Sequence, residues 1–201
     1  MADPIIIVAG VGRCGSSLIM QMLVAGGVRL GGTGAKHPTY ECSEYTKLPH
    51  APWWLGACHG KVIKIINPGR YHPPKGHLYK VIWAQRRLKN QTDSWMKWQE
   101  RLIEQKGRRR LDRSSMIDML VKRSARGMDS MRSLQPIGGV HLVRFESALK
   151  LPNTTATEIA MYLGLDLDTE KMTSVVAKRS PECLPFFMED TNQSLWPTNL
   201  S

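Results

Sequence analysis

The chain has 201 residues and sets 28 Lys and Arg against 17 Asp and Glu, a formal net charge of +11 at neutral pH. That length points to one domain of ordinary size, and the charge surplus favours anionic partners (nucleotides, acidic glycans, nucleic acid, membrane surface) without choosing among them. No run approaches the roughly 18 apolar residues of a membrane span. The N-terminus carries Asp3 and Pro4 with no basic region ahead of its apolar run, which argues against a secretory signal. The four cysteines, Cys14, Cys42, Cys58 and Cys183, form neither a C-x-x-C pair nor a zinc-spaced cluster, so free thiols in a reducing, cytoplasmic compartment are expected, with no metal and no membrane partner.

In chain order, short apolar runs, three of them rich in Val and Ile, predict strands at Ile5–Ala9, Lys61–Ile66, Leu78–Ala84 and Val140–Phe145. Helical patterns lie between and after them. Ser16–Ala25 ends at Gly26-Gly27. Asn90–Lys106 places Trp95 and Trp98 one turn apart as a core-facing pair. Ser114–Ser133 follows, and Thr154–Leu163 carries Ile159, Ala160 and Leu163 on one stripe. Strands alternating with helices imply a three-layer α/β fold of the P-loop kind, a central parallel sheet with helices on both faces. One domain over residues 1–180 is expected, followed by a Pro-containing tail over 181–201. Gly31–His59 and Asn67–Gly76 break the pattern as long loops, which in compact α/β domains are where function concentrates.

The first strand runs directly into Gly10-Val11-Gly12-Arg13-Cys14-Gly15-Ser16-Ser17 and then a helix. Strand, glycine-rich loop and helix N-terminus together turn backbone N–H groups toward a phosphate or sulfate. On the pattern G-x-x-x-x-G-K-[ST], Gly10, Gly15 and Ser17 fit, but Ser16 stands where an NTP-hydrolysing loop needs lysine. The third strand delivers Arg86 to its C-terminal end, and Ser94 follows eight positions on. An arginine fork and a serine hydroxyl can converge on one phosphate.

These motifs resemble those of sulfotransferases that use 3′-phosphoadenosine 5′-phosphosulfate (PAPS). The family's [KR]-[ST]-G-[ST]-[ST] loop is matched by Arg13-Cys14-Gly15-Ser16-Ser17. Its Arg and the Ser eight positions later are matched by Arg86 and Ser94. Its "RYEDL" strand and following "FLGL" are matched by Arg144-Phe145-Glu146-Ser147-Ala148-Leu149 and Met161-Tyr162-Leu163-Gly164-Leu165. Cys14 replaces a hydroxyl residue, and Arg87-Leu88-Lys89 stand where a Pro usually follows the arginine. The family's basic segment near the cofactor is echoed by Lys178-Arg179. The resemblance implies an enzyme that binds PAPS through Gly12, Arg13, Cys14, Gly15, Ser16, Ser17, Arg86 and Ser94. It would transfer the sulfuryl group to a hydroxyl or amine of a small-molecule or glycan acceptor and release adenosine 3′,5′-bisphosphate (PAP).

Arg13 takes the place of the loop cation that stabilises developing charge, and Lys64 is a second cation, with a strand-end snorkelling role as its bland alternative. The "KTH" histidine is replaced, Lys64-Ile65-Ile66 standing there, and His37-Pro38-Thr39-Tyr40-Glu41 resembles a segment that carries a Glu base. Glu41 is therefore the expected base and Glu44 the runner-up. Two rivals stay open: a P-loop nucleotide or metabolite kinase, and a non-catalytic nucleotide- or polyanion-binding protein. Trp53-Trp54 is expected to be buried packing. The run Lys106-Gly107-Arg108-Arg109-Arg110 is expected to be a solvated loop, with nucleic acid not the expected partner. Arg144 and Glu146 are expected to do structural work near the sheet, and Cys14, in an electropositive loop, to have a lowered pKa.

Overall fold

The computed structural model describes residues 3–35, 39–48, 50–106 and 111–176. His37 and Pro38, residues 107–110 of the basic run, Lys178-Arg179, Cys183 and the expected tail at 181–201 lie outside the described residues.

β1 (Ile5–Gly10) is buried at every position, as a continuous Ile/Val run requires when both sheet faces are covered. β2 (Val62–Ile66) and β3 (Tyr79–Gln85) flank it, and β4 (Val140–Arg144) lies outside β3. The order is β2-β1-β3-β4 with every pair parallel. The register Val8↔Lys64 and Val8↔Ile82 sorts side chains between two cores. Ile6, Val8, Val62, Ile82 and Val143 pack with α1 (Ser16–Ala25), α5 (Pro152–Leu163) and α6 (Thr169–Ser174). Ile5, Ile7, Ala9, Ile63, Ile65, Val81 and Trp83 pack with Met131 and Leu134 at the end of α3 (Arg113–Ser133) and with Leu48, Leu55 and Cys58 of the loop before β2. Each fully buried Ile or Leu stabilises the fold by roughly 1.5–3 kcal/mol, so these two cores fix the sheet as the platform for the site.

The expected strands match those formed to within one residue at each end. α2 (Leu88–Lys106) and α3 carry the β3–β4 crossover, α3 starting at an Asp112 cap whose carboxylate accepts from Ser115 N at 3.0 Å. α5 starts with Pro152 in its first turn and ends on Gly164 in the left-handed conformation, φ 62°. Two short helices carry no periodic signal in the sequence: α4 (Phe145–Lys150), which leaves β4 without a loop, and α6, six residues capped by Asp168. Among the described residues no helix is long and apolar enough to cross a membrane.

The buried face of α2 corrects an expectation. Trp95 and Trp98 are only half-buried and meet edge to face at 4.8 Å. Trp95 packs against the small core of Val11, Met116 and Leu120, and among the described side chains of α2 the buried ones are Asn90, Gln91, Thr92, Ser94 and Gln99. A helix with a polar buried face needs polar partners, and the glycine loop and α4 supply them. Trp53 is also corrected: it stands 75% exposed at the start of a 3₁₀ turn.

Candidate anion-binding and catalytic site

The loop between β1 and α1 sits at the C-terminal edge of the sheet, where ligands bind in open α/β folds. Gly15 caps α1 at φ 96° and no side chain covers the cap. Leu18 N is already donated to Gly15 O at 3.0 Å, so the N–H groups of the first turn left for a ligand at the cap are those of Ser16 and Ser17. A side chain at Gly15 would collide with the ring of Phe145, and one at Gly12 would come within 2.8 Å of the Trp95 indole. Both glycines are set by close packing.

The loop is held from behind by α2. Gln91 Nε2 donates to Val11 O at 3.2 Å and Gly12 O at 2.9 Å, and Trp95 Nε1 donates to Gly12 O at 2.7 Å. Val11 O also accepts from Cys14 N at 3.2 Å, which closes a tight turn within the loop. The sequence pattern reveals neither Gln91 nor Trp95 as a loop support. The one usable signal is a polar stripe, Asn90, Gln91, Ser94, on a helix that must pack.

Arg13, itself left-handed at φ 69°, donates from Nε to Ser94 Oγ at 3.1 Å, and Arg86 Nη1 donates to Arg13 O at 3.4 Å. The first and second motifs, over 70 positions apart in sequence, thus meet at one point. Arg86 is 7% exposed and lies over the Phe145 ring at 4.7 Å, a cation–π contact that orients its fork. Glu146 accepts from Arg87 N at 3.0 Å and from Asn90 Nδ2 at 3.3 Å, tying α4 to the β3–α2 corner that carries Arg86. That is the structural work expected of it.

Lys64 lies mid-strand in β2, not at a strand end, and is 3% exposed, which removes the snorkelling alternative. Its ammonium donates to Ser17 Oγ at 2.9 Å and Thr39 O at 2.6 Å and pairs with Glu41 Oε1 at 3.1 Å. It therefore joins the start of α1 to the segment bearing Glu41. Glu44 is engaged elsewhere. It accepts from Thr33 N at 2.9 Å and Ser43 Oγ at 3.2 Å. Partial burial pushes its carboxyl up, but these hydrogen bonds outweigh that and leave it below the usual range, a poorer base.

Cys14 departs from expectation. Its thiol is buried against the loop's own glycine, and desolvation raises its pKa, outweighing the Ser16 hydrogen bonds and the Lys64 charge that pull the other way. His72, bonded to Ser130 Oγ at 2.6 Å, and the pair His59 and His77 near the strand starts are not drawn to this site.

Behind Arg86 a cavity of about 600 Å³ opens between α3 and the ends of β3 and β4. Its walls include Trp83 and Leu120, with Arg86, Arg87, Arg144 and Lys150 against Glu146. Chemically the assembly offers helix-start N–H groups, hydroxyls on α1, the cations Arg13, Arg86 and Lys64, and the Glu41 carboxylate paired with Lys64. It suits a polyanion with a reacting group near Lys64.

No protein-family model and no curated protein matches the chain in sequence. Among solved structures it is similar to a retinol dehydratase in complex with androsterone and inactive cofactor PAP. That match has a TM-score of 0.53 at 14% identity and covers 86% of this chain and 64% of that one. It is similar to a mouse sulfotransferase complexed with PAP, with a TM-score of 0.50 at 14% identity, covering 87% and 62%. The sulfotransferase domain of the Synechococcus PCC 7002 olefin synthase aligns with a TM-score of 0.48 at 15% identity, over 87% and 81%. The chain thus spans less than two thirds of the length of the first two proteins.

Proposed function

On the PAPS-dependent sulfotransferase fold that this chain adopts, we propose an enzyme that moves a sulfuryl group from PAPS to a hydroxyl or amine of a small-molecule or glycan acceptor. The observation that carries the reading is the meeting of Arg13, Ser94 and Arg86 at one point beside an uncapped helix start. The N–H groups of Gly12, Arg13, Gly15, Ser16 and Ser17, with the Ser16 and Ser17 hydroxyls, take the 5′-phosphosulfate, while the Cys14 N–H is already donated to Val11 O at 3.2 Å. Arg86 and Ser94 take the 3′-phosphate.

In the reaction the acceptor oxygen (or nitrogen) attacks sulfur in line and the bond from sulfur to the 5′-phosphate oxygen breaks. Its electron pair leaves with PAP and the acceptor proton passes to Glu41. Negative charge grows on the departing oxygen, where Arg13 stabilises it, and Lys64 faces the sulfuryl oxygens from β2. Lys64 also aligns the base, since the same ammonium holds Glu41 and Ser17. No metal is required by this scheme, because fixed cations supply the charge.

Calorimetric titration with PAP and, separately, with ATP and Mg²⁺ tests the reading. PAP binding much tighter than ATP supports it. Tight ATP binding with none of PAP would replace it with a kinase.

A further inference from the structure

At the end of the sheet opposite the glycine loop, two imidazoles approach each other. His59 precedes β2 and His77 precedes β3, and His59 Nε2 lies 3.4 Å from His77 Nδ1. The other nitrogen of His59, Nδ1, is 2.8 Å from Asp3 O. A carbonyl only accepts, so Nδ1 carries the proton, and in neutral His59 the lone pair is on Nε2, facing His77. A hydrogen bond from one ring nitrogen to a backbone carbonyl is the arrangement that orients metal-ligating histidines. Two nitrogens bound tetrahedrally at 2.0–2.1 Å from a zinc ion lie about 3.3–3.4 Å apart, the separation found here.

The base under the two rings is rigid. Gly60 N donates to Pro4 O at 3.2 Å, Ile5 N to Leu78 O at 2.8 Å and Ile6 N to Lys61 O at 3.0 Å, so the starts of three neighbouring strands are already pinned together. His77 also meets the edge of Tyr79 at 6.0 Å, and the Tyr79 phenol donates to Pro74 O at 2.8 Å. Among the described residues no group of three or more His, Cys, Asp or Glu is placed to hold a metal, so the two imidazoles are the donors these residues offer, with water to complete the shell.

We propose that His59 Nε2 and His77 Nδ1 form a two-imidazole site for a borderline divalent cation (Zn²⁺, Ni²⁺ or Cu²⁺) that clips the starts of β1, β2 and β3. The site is independent of sulfuryl transfer. Titration of the full chain with ZnCl₂ at pH 7.5 tests it. One saturable site is expected, together with a zinc-dependent rise in Tm that EDTA reverses, and both are lost in His59→Ala and in His77→Ala. Far-UV circular dichroism checks that each variant is folded. Electron paramagnetic resonance of the Cu²⁺-loaded wild type needs no variant and is expected to show two nitrogen ligands from imidazole. Absence of saturable binding, binding that survives both substitutions, or a copper spectrum with a single imidazole would overturn the proposal.

Discussion

Gly15→Ala probes how tightly the glycine loop is built. Gly15 is left-handed at φ 96°, a conformation that costs an L-residue about 1–2 kcal/mol. The added methyl also meets Phe145, with the ring Cγ only 2.9 Å away. Phe145 is 8% exposed within the core that holds α1 and α5, so it has little room to yield, and overpacking of this kind adds about 1–3 kcal/mol. The two contributions together predict a loss of about 2–5 kcal/mol, large against the 5–15 kcal/mol of an ordinary domain. Urea unfolding followed by circular dichroism reads it as a lower midpoint at unchanged slope. Gly15→Ala combined with Phe145→Leu relieves the collision but not the backbone strain, so the pair is expected to couple favourably by about 1–3 kcal/mol in a double-mutant cycle. Stability of Gly15→Ala within about 0.5 kcal/mol of wild type would refute the reasoning.

Glu41→Gln is expected to lower kcat by about 10²–10⁴-fold in a PAPS-dependent transfer assay while leaving PAP affinity unchanged, because the carboxylate acts on the acceptor and not on the nucleotide. Arg13→Ala is expected to lower kcat by about 10²–10³-fold, measured in the same assay. Cys14 resists iodoacetamide at pH 8 in the folded protein and reacts in urea, as peptide mass spectrometry would show, because burial raises its thiol pKa. Glu44 has a folded-state pKa below its ordinary 4.5, so its stabilising contribution is present above that value and fades as pH falls through the folded-state pKa. Accordingly, the destabilisation of Glu44→Gln in urea is full at pH 6 and shrinks below pH 4.5.

β1, β2 and β3 were legible as short, largely buried apolar runs and β4 as a weaker apolar run at the exposed edge of the sheet, and the glycine loop because its glycines stand at a fixed spacing between strand and helix. The eight-residue spacing singled out Arg86 and Ser94 as a pair, and both side chains are hydrogen-bonded to Arg13. Periodicity could not show which face of α2 turns inward. Trp95 packs on a small core as its stripe suggests, yet its Nε1 and the Gln91 amide also satisfy carbonyls of the glycine loop, a role that hydrophobic periodicity does not encode. Nor could it show that Lys64 sits mid-strand. Its burial depends on acceptors from Ser17, Thr39 and Glu41, residues 47, 25 and 23 positions away in sequence. Cys14 misled for the same reason. Nearby cations suggest a lowered pKa, while burial, invisible in sequence, raises it. α4 and α6, six residues each, are too short for a 3.6-residue period to register.

The account rests on Arg86 and Ser94 reading the 3′-phosphate, and the ratio of PAP to AMP affinity measures that contact alone, since the two ligands differ only by that group. In wild type PAP is predicted to bind far more tightly than AMP. In Arg86→Ala, and to a lesser degree in Ser94→Ala, the ratio is predicted to fall toward one while AMP affinity holds. A wild type that does not distinguish PAP from AMP, or an Arg86→Ala variant that keeps the full preference, would contradict it.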